Sequence, residues 1–189
     1  MIIEIEKKYS FNEEDYKIIT SKCKSEWKSE IKDFYLDLPD YRLFKKDYYL
    51  RMRNGLYELK ISKFIKETWL VVSKEINEEE EIEKILKEKF NMSVDDTTWV
   101  LYVETNREKY TYEMDWETIT VDIDFYQYGE RYEIEVISES KTEEEVNQLI
   151  EKFREELWLQ SNYDIDWGWK VFICSQHQNI EIFEIMNNK

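Results

Sequence analysis

The sequence has few of the residues on which the commonest catalytic motifs depend. Its 189 residues include two cysteines, one histidine, three glycines and one proline. Two cysteines do not make a disulfide scaffold, and a single histidine, His177, argues against Ser–His or Cys–His nucleophile systems. Three glycines leave no glycine-rich loop of the Walker or dinucleotide type. Any chemistry must therefore depend on carboxylates, lysines and arginines.

Long apolar segments are also missing. No apolar run approaches the roughly 20 residues of a membrane span, and no signal-peptide pattern is present. We therefore expect a cytoplasmic protein with no membrane partner. The length is that of one domain, and we assign residues 1–189 to a single domain.

Charge is abundant and unbalanced. The 43 acidic and 27 basic residues give a net charge of −16. A chain this acidic repels nucleic acid, so we expect no nucleic-acid partner, and an anionic ligand would need a local basic site. Hydrophobic residues make up 42% of the chain, which is enough to build a core.

Alternating apolar and polar residues predict about eight strands. Asn54-Gly55 lies between two alternating runs and predicts a hairpin, because a type I′ turn needs positive φ at both central positions. The predicted strands are residues 2–9, 33–38, the two arms of 48–61, 68–76, 99–114, 118–125 and 131–137.

Helices are predicted between these strands. Capping-box spacing indicates helix starts at Ser10 and Thr142, an acidic helix follows Asn77, and the tail from residue 169 has a helical pattern. Hairpin-linked strands with helices between them favour an α+β fold, an eight-stranded antiparallel β-barrel with surrounding helices.

Several predicted strands carry charges of both signs on one face and aliphatic side chains on the other, because residues i and i+2 share a face. Glu4, Glu6 and Lys8 oppose Ile5 in the first strand. If these faces met bulk water, the barrel interior would be apolar. We favour the inverse, in which helices cover the aliphatic faces and the charges line a wet tunnel. The same alternation recurs at Arg51 and Arg53, Glu58 and Lys60, Asp122 and Asp124, and Glu133 and Glu135.

The residue types indicate a ligand class. Paired carboxylates are hard oxygen ligands for Mg²⁺ or Mn²⁺. Arginine offers planar bidentate donors to phosphate, and lysine offers a compact charge. Together these groups suit a metal-bound polyphosphate.

The ordered set of motifs resembles the CYTH superfamily of triphosphate tunnel metalloenzymes, and within it most closely the thiamine triphosphatases. "EIEKK" at residues 4–8 fits the Glu-x-Glu-x-Lys signature of that family. The other similar segments follow in the same order along nearly the whole chain, at residues 33–60, 73–76, 105–110, 121–136 and 169–173.

The resemblance implies roles for particular residues. Asp124 and Glu58 are expected to contact the side chains that bind the ligand without contacting the ligand themselves. Lys8, Arg53 and Glu6 are the expected catalytic residues, and Tyr49 takes the place of a tryptophan that contacts thiamine. The carboxylates implied to hold Mg²⁺ or Mn²⁺ are Glu4, Glu6, Asp122, Glu133 and Glu135. The bases implied to hold the triphosphate are Lys8, Arg51, Arg53, Lys60, Lys74, Arg107 and Lys170.

The resemblance also implies an activity, metal-dependent hydrolysis of thiamine triphosphate to thiamine diphosphate and phosphate. An inorganic triphosphatase is the nearest alternative, followed by a class IV adenylyl cyclase, an RNA 5′-triphosphatase and a polyphosphate-binding module without turnover. The net charge of −16 argues against long RNA partners. We expect a monomer that acts on a small-molecule triphosphate.

Overall fold

The computed structural model describes residues 3–138, 140–163 and 169–188. In these ranges eight antiparallel strands close into a barrel in the order β1-β5-β4-β3-β2-β6-β7-β8, and β8 pairs back onto β1. This confirms the predicted fold class. The strands are β1 Ile3–Ser10, β2 Lys24–Asp37, β3 Tyr48–Arg53, β4 Leu56–Ile65, β5 Leu70–Ile76, β6 Thr98–Met114, β7 Glu117–Tyr126 and β8 Gly129–Ser138.

The strand boundaries differ from the sequence prediction mainly in β2. This strand begins at Lys24, not at residue 33, because it pairs with β6 along its length while its first seven residues stay exposed and, apart from Trp27, polar. Asn54 and Gly55 form the β3–β4 turn with φ of 54° and 80°, which confirms the predicted hairpin. Ile2, the first residue of the predicted opening strand, lies outside the described residues.

The helices lie between strands and at the C-terminal side. The side chain of Asn12, not Ser10, caps the first helix by accepting from Glu14 N at 2.8 Å. Thr142 and Glu145 form the predicted capping box. Glu78 precedes the acidic helix without a side-chain cap bond. The helices are α1 Glu13–Lys22, α2 Glu79–Phe90, α3 Glu143–Leu157, α4 Trp169–Gln178 and α5 Ile180–Asn187.

The aliphatic strand faces point outward and are covered by helices. Val121 and Ile134 of β7 and β8 belong to one buried cluster with Ile150 and Phe153 of α3. A second cluster joins β3 and β4 to α2, and a third joins β2, β3 and β6 to α4 and α5. The charged faces are thereby left to the barrel interior. No helix of the described part is long and apolar enough to span a membrane.

Candidate active site

The barrel encloses a cavity of about 370 Å³. Among the described residues, eight bases and six acids line it, a formal charge of +2 inside a chain whose net charge is −16. The cavity is therefore the local basic site that an anionic ligand of this protein would need. The bases are Lys8, Arg51, Arg53, Lys60, Arg107, Lys109, Arg131 and Lys170, and the acids are Glu4, Glu6, Glu75, Asp122, Glu133 and Glu135.

Strand register brings these side chains together. Glu6 of β1 lies opposite Glu135 of β8, and Lys8 lies opposite Glu133. Directly opposed residues of neighbouring strands point to the same face. The Glu-x-Glu-x-Lys segment therefore meets the second Glu-x-Glu pair within the tunnel, as the alternation predicted.

Three carboxylates converge at one place in the cavity. One ligand oxygen from each of Glu4, Glu6 and Glu135 lies within 4.8 Å of the others. Glu6 Oε2 is buried and has no hydrogen-bond partner in the described part of the chain. An unpaired buried carboxylate oxygen is costly, and a set of three carboxylate oxygens matches the ligand preference of Mg²⁺ or Mn²⁺. These residues therefore fit a divalent cation.

The electrostatics of this carboxylate cluster also favour a bound cation. Burial and repulsion from Glu6 and Glu75 raise the pKa of Glu4 to about 7, although Lys60 opposes them. Burial and the charge of Glu4 raise the pKa of Glu135 to about 8. Burial alone would raise the pKa of Glu6 too, but Lys60 and Lys8 outweigh it and lower that pKa.

Asp122 and Glu133, also implied as metal ligands, contact bases in the metal-free structure. Glu133 accepts from Lys8 Nζ at 3.1 Å, Arg107 Nη2 at 2.8 Å and Arg131 Nη2 at 3.1 Å. Burial would raise the pKa of Glu133, but these cations hold it well below its usual value. Arg107 and Lys109 flank Asp122 in the same way. Both acids orient the tunnel bases in this arrangement.

Arg51 and Arg53 are held by acids on other strands. Arg53 donates to both carboxylate oxygens of Asp33 at 2.6 and 2.9 Å. Arg51 donates to Glu58 at 2.7 Å and to Glu75 at 3.2 Å. Because each guanidinium is already oriented by a carboxylate, little side-chain freedom remains to be lost when an anion binds.

Lys170 reaches the tunnel from α4. Its Nζ donates to Asp124 Oδ2 at 2.9 Å, and Asp124 also accepts two bonds from Arg107. Burial lowers the pKa of Lys170 to about 8; Asp124 opposes the shift, and Arg107 and Arg131 add to it. Asp124 and Glu58 thus contact site bases, as predicted.

The site geometry agrees with a comparison of the sequence with protein families. Residues 2–165 match the CYTH domain. The chain belongs to the CYTH family. No curated protein sequence matches it.

Solved structures share this CYTH fold. The PH1819 protein of Pyrococcus horikoshii OT3 is 24% identical with a TM-score of 0.63, and the match covers 89% of this chain and 97% of that one. The HpAC1 protein of Hippeastrum, described as a candidate adenylyl cyclase with a dominant triphosphatase activity, is 16% identical with a TM-score of 0.67 and coverage of 91% and 95%. The PH1012 protein of Pyrococcus horikoshii OT3 is 20% identical with a TM-score of 0.53 and coverage of 83% and 91%.

One residue predicted for the CYTH site lies outside it. Lys74 Nζ donates to Glu81 Oε1 of α2 at 2.7 Å, on the outer side of the barrel. Strand alternation is the reason, because the next residue, Glu75, takes the inward face and lines the cavity. The prediction that Lys74 contacts phosphate is therefore corrected.

Sequence reasoning missed several lining residues of the tunnel. Lys109 and Arg131 lie two residues from Arg107 and Glu133, so the same alternation would have found them. Trp27 was missed because β2 was predicted to begin only at residue 33. Tyr49 lines the cavity as predicted, but it is only 6% exposed and packs edge-to-face on Phe44, with ring centroids 5.6 Å apart.

Proposed function

We propose that this CYTH protein hydrolyses the terminal phosphoanhydride of a small-molecule triphosphate and requires Mg²⁺ or Mn²⁺. The observation that carries the proposal is the juxtaposition of three converging carboxylates with a row of oriented bases inside one cavity. Carboxylates alone would suit a cation, and bases alone would suit an anion. A metal-bound polyphosphate uses both.

Glu4, Glu6 and Glu135 would hold the metal. When bound, the cation would neutralise phosphate charge and polarise the phosphorus–oxygen bonds. The carboxylates would fix its position relative to Lys8, whose Nζ contacts Glu6 and lies 3.1 Å from Glu133.

The bases would bind the phosphate chain and stabilise the reaction's charge. Water oxygen attacks the terminal phosphorus, the bridging P–O bond breaks, and the diphosphate end leaves with the bond electrons, while the water protons remain on the released phosphate. Lys8 and Arg53 would stabilise the charge that builds on these oxygens, while Arg51, Lys60, Arg107 and Lys170 would hold the rest of the chain. Because phosphoryl transfer depends mainly on positioning and electrostatics, the tunnel needs no cysteine or histidine nucleophile.

For the substrate itself we favour thiamine triphosphate, because the ordered motifs are most similar to thiamine triphosphatases. Inorganic triphosphate is the second candidate, since the oriented bases of the tunnel can bind any triphosphate. The Hippeastrum structure supports a triphosphatase over a cyclase, because it is described as having a dominant triphosphatase activity.

Phosphate release from a panel of triphosphates tests the proposal. Thiamine triphosphate, inorganic triphosphate and ATP would each be incubated with Mg²⁺, with Mn²⁺ and with EDTA. We expect metal-dependent release of phosphate from at least one substrate, and thiamine triphosphate to be the best. If triphosphate binds without release of phosphate under every condition, the protein is a binding module and the proposal fails. Production of cyclic AMP with diphosphate from ATP would assign it to the cyclases.

A further inference from the structure

Trp27 is an aromatic side chain at the edge of an otherwise charged cavity. It lines the cavity and is 41% exposed, which is a large exposed area for a tryptophan. Lys109 Nζ lies 5.9 Å from its ring centroid and 3.2 Å from Asp122 Oδ1. Lys109 therefore lies between the indole and an inner carboxylate, and part of the indole surface is open to solvent.

The apolar lining residues at the two ends of the cavity differ in exposure. Next to α4, the lining side chains of Tyr35, Tyr49 and Val171 are between 4% and 6% exposed and share one apolar cluster. At the other end Trp27 is joined by Ile137, which is 58% exposed and follows Glu135 by two residues on the same face of β8. Among the described lining residues Trp27, Ile137 and Glu75 are exposed, and Trp27 and Ile137 are the apolar ones of the three.

A strand irregularity marks the position of Trp27. The β2–β6 register runs regularly from Trp27 opposite Lys109 to Ile31 opposite Thr105, but it shifts between Ser25 and Trp27. Trp27 is therefore the last inward-facing residue of β2 before a bulge. Bulges are frequent at barrel rims and beside active sites, where they direct a side chain.

We propose that Trp27 is the platform on which the planar heteroaromatic ring of an organic triphosphate stacks while the phosphates lie among the tunnel bases. This inference rests on the proposed triphosphatase function and deepens it by naming the substrate class. Phosphates have no apolar surface, so the exposed indole and isoleucine that line the cavity would make no apolar contact with inorganic triphosphate. Tyr49, which the family resemblance implied for this role, is enclosed beside Phe44.

The experiment compares kcat/KM for ring-bearing and inorganic triphosphates in the wild type and in Trp27→Ala. Stacking on an aromatic side chain is worth on the order of tenfold in affinity. We expect the ratio of kcat/KM for the ring substrate to that for inorganic triphosphate to fall by about tenfold, mainly through KM, and Trp27→Phe to restore most of it. Thiamine triphosphate and ATP form separate arms, which distinguish a cationic ring from an uncharged base.

Trp99→Ala is the matched control. Trp99 is 65% exposed, packs at a tilt against Phe34 and does not line the cavity, so its loss should leave the ratio unchanged. An equal loss for ring-bearing and inorganic substrates in Trp27→Ala, or no loss at all, would overturn the stacking role while leaving triphosphatase activity established. Absence of phosphate release from every substrate in the wild type would instead refute the proposed function.

Discussion

Lys60 Nζ donates a 2.8 Å hydrogen bond to Glu4 Oε1, although β5 separates their strands in the barrel. The same amine lies 3.5 Å from Glu6 Oε1. Burial would lower the pKa of Lys60, but Glu6 and Glu4 outweigh it and hold the pKa well above its usual value. Lys60 thus occupies the position of a counter-ion at the carboxylate cluster, and a cation bound there would free the amine to contact phosphate.

The first prediction concerns the metal ligands. Glu4→Gln combined with Glu6→Gln keeps the side-chain shapes but removes two ligand charges. We expect turnover to fall by at least about 100-fold, because even the loss of outer-shell partners costs 10- to 100-fold in metal affinity or activity. The measurements are phosphate release against Mg²⁺ concentration and the thermal unfolding midpoint, which should show a folded protein.

The control for this double variant is Glu104→Gln. Glu104 accepts from Tyr102 Oη at 2.8 Å and does not line the cavity, so its neutralisation should leave turnover as in the wild type. Wild-type turnover of the double variant at limiting Mg²⁺ would show that Glu4 and Glu6 do not hold the catalytic ion.

The second prediction is that metal binding is coupled to proton release. Glu4 and Glu135 have pKa values raised to about 7 and about 8 in the metal-free protein, with burial as the main cause. Below these values the carboxyls are protonated and a cation must displace the protons, so Mg²⁺ affinity should rise from about pH 6 to about pH 8 and then level off.

Calorimetric titration of Mg²⁺ in buffers of different ionisation enthalpy would count the protons released. We expect net release near pH 7 and almost none near pH 9, where both carboxyls are already ionised. The same affinity at both pH values in the wild type would place the metal away from Glu4 and Glu135.

The barrel and most of its inner face could be predicted from sequence because period-2 alternation is local. Glu6, Arg51 and Glu133 were recognised by their spacing alone, and register then brought them together. Which acids would contact a metal and which would contact bases was not predictable. Whether Glu133 meets a metal or an arginine depends on how long side chains from three strands share the interior, which is a three-dimensional property.

The errors have local physical causes. Lys74 was assigned to the site by its charge, although the adjacent Glu75 occupies the inward face of β5. The start of β2 was missed because its exposed, charged residues are held in a strand by pairing with distant β6. Trp27 was therefore not considered as a cavity residue.

The third prediction concerns Lys170 at high pH. Its pKa is lowered to about 8, chiefly by burial, so it loses its charge as the pH rises through that value. If it binds phosphate, KM for inorganic triphosphate should rise above about pH 8. Lys170→Arg keeps the charge at every accessible pH and should remove that rise, because arginine does not deprotonate in proteins.

Lys170→Met completes the comparison. This variant has no charge to lose, so KM should be raised at every pH and show no added step near pH 8. The same alkaline rise in wild type and both variants would assign that step to another group.

The last prediction concerns stability away from the site. Asp15 of α1 is fully buried and accepts from Tyr132 Oη at 2.9 Å, Gln160 N at 2.8 Å and Ser161 N at 2.8 Å. Asp15→Asn would turn an amide donor toward these donors, so we expect a loss of about 1–3 kcal/mol in the free energy of unfolding. The measurement is urea denaturation near pH 7, with exposed Glu14→Gln as a control that should change it by less than about 0.5 kcal/mol.

The pH dependence of the Asp15 effect has a definite sign. Burial would raise the pKa of Asp15, but the bonds from Gln160 and Ser161 outweigh it, so the pKa is lowered in the folded protein. A lowered carboxyl pKa adds stability that is fully present above the unfolded value of about 3.9 and is lost as the pH falls through the folded pKa. The gap between wild type and Asp15→Asn should therefore stay constant from about pH 8 to about pH 5 and shrink below about pH 4. A gap that widens on acidification would show that Asp15 is protonated in the folded protein.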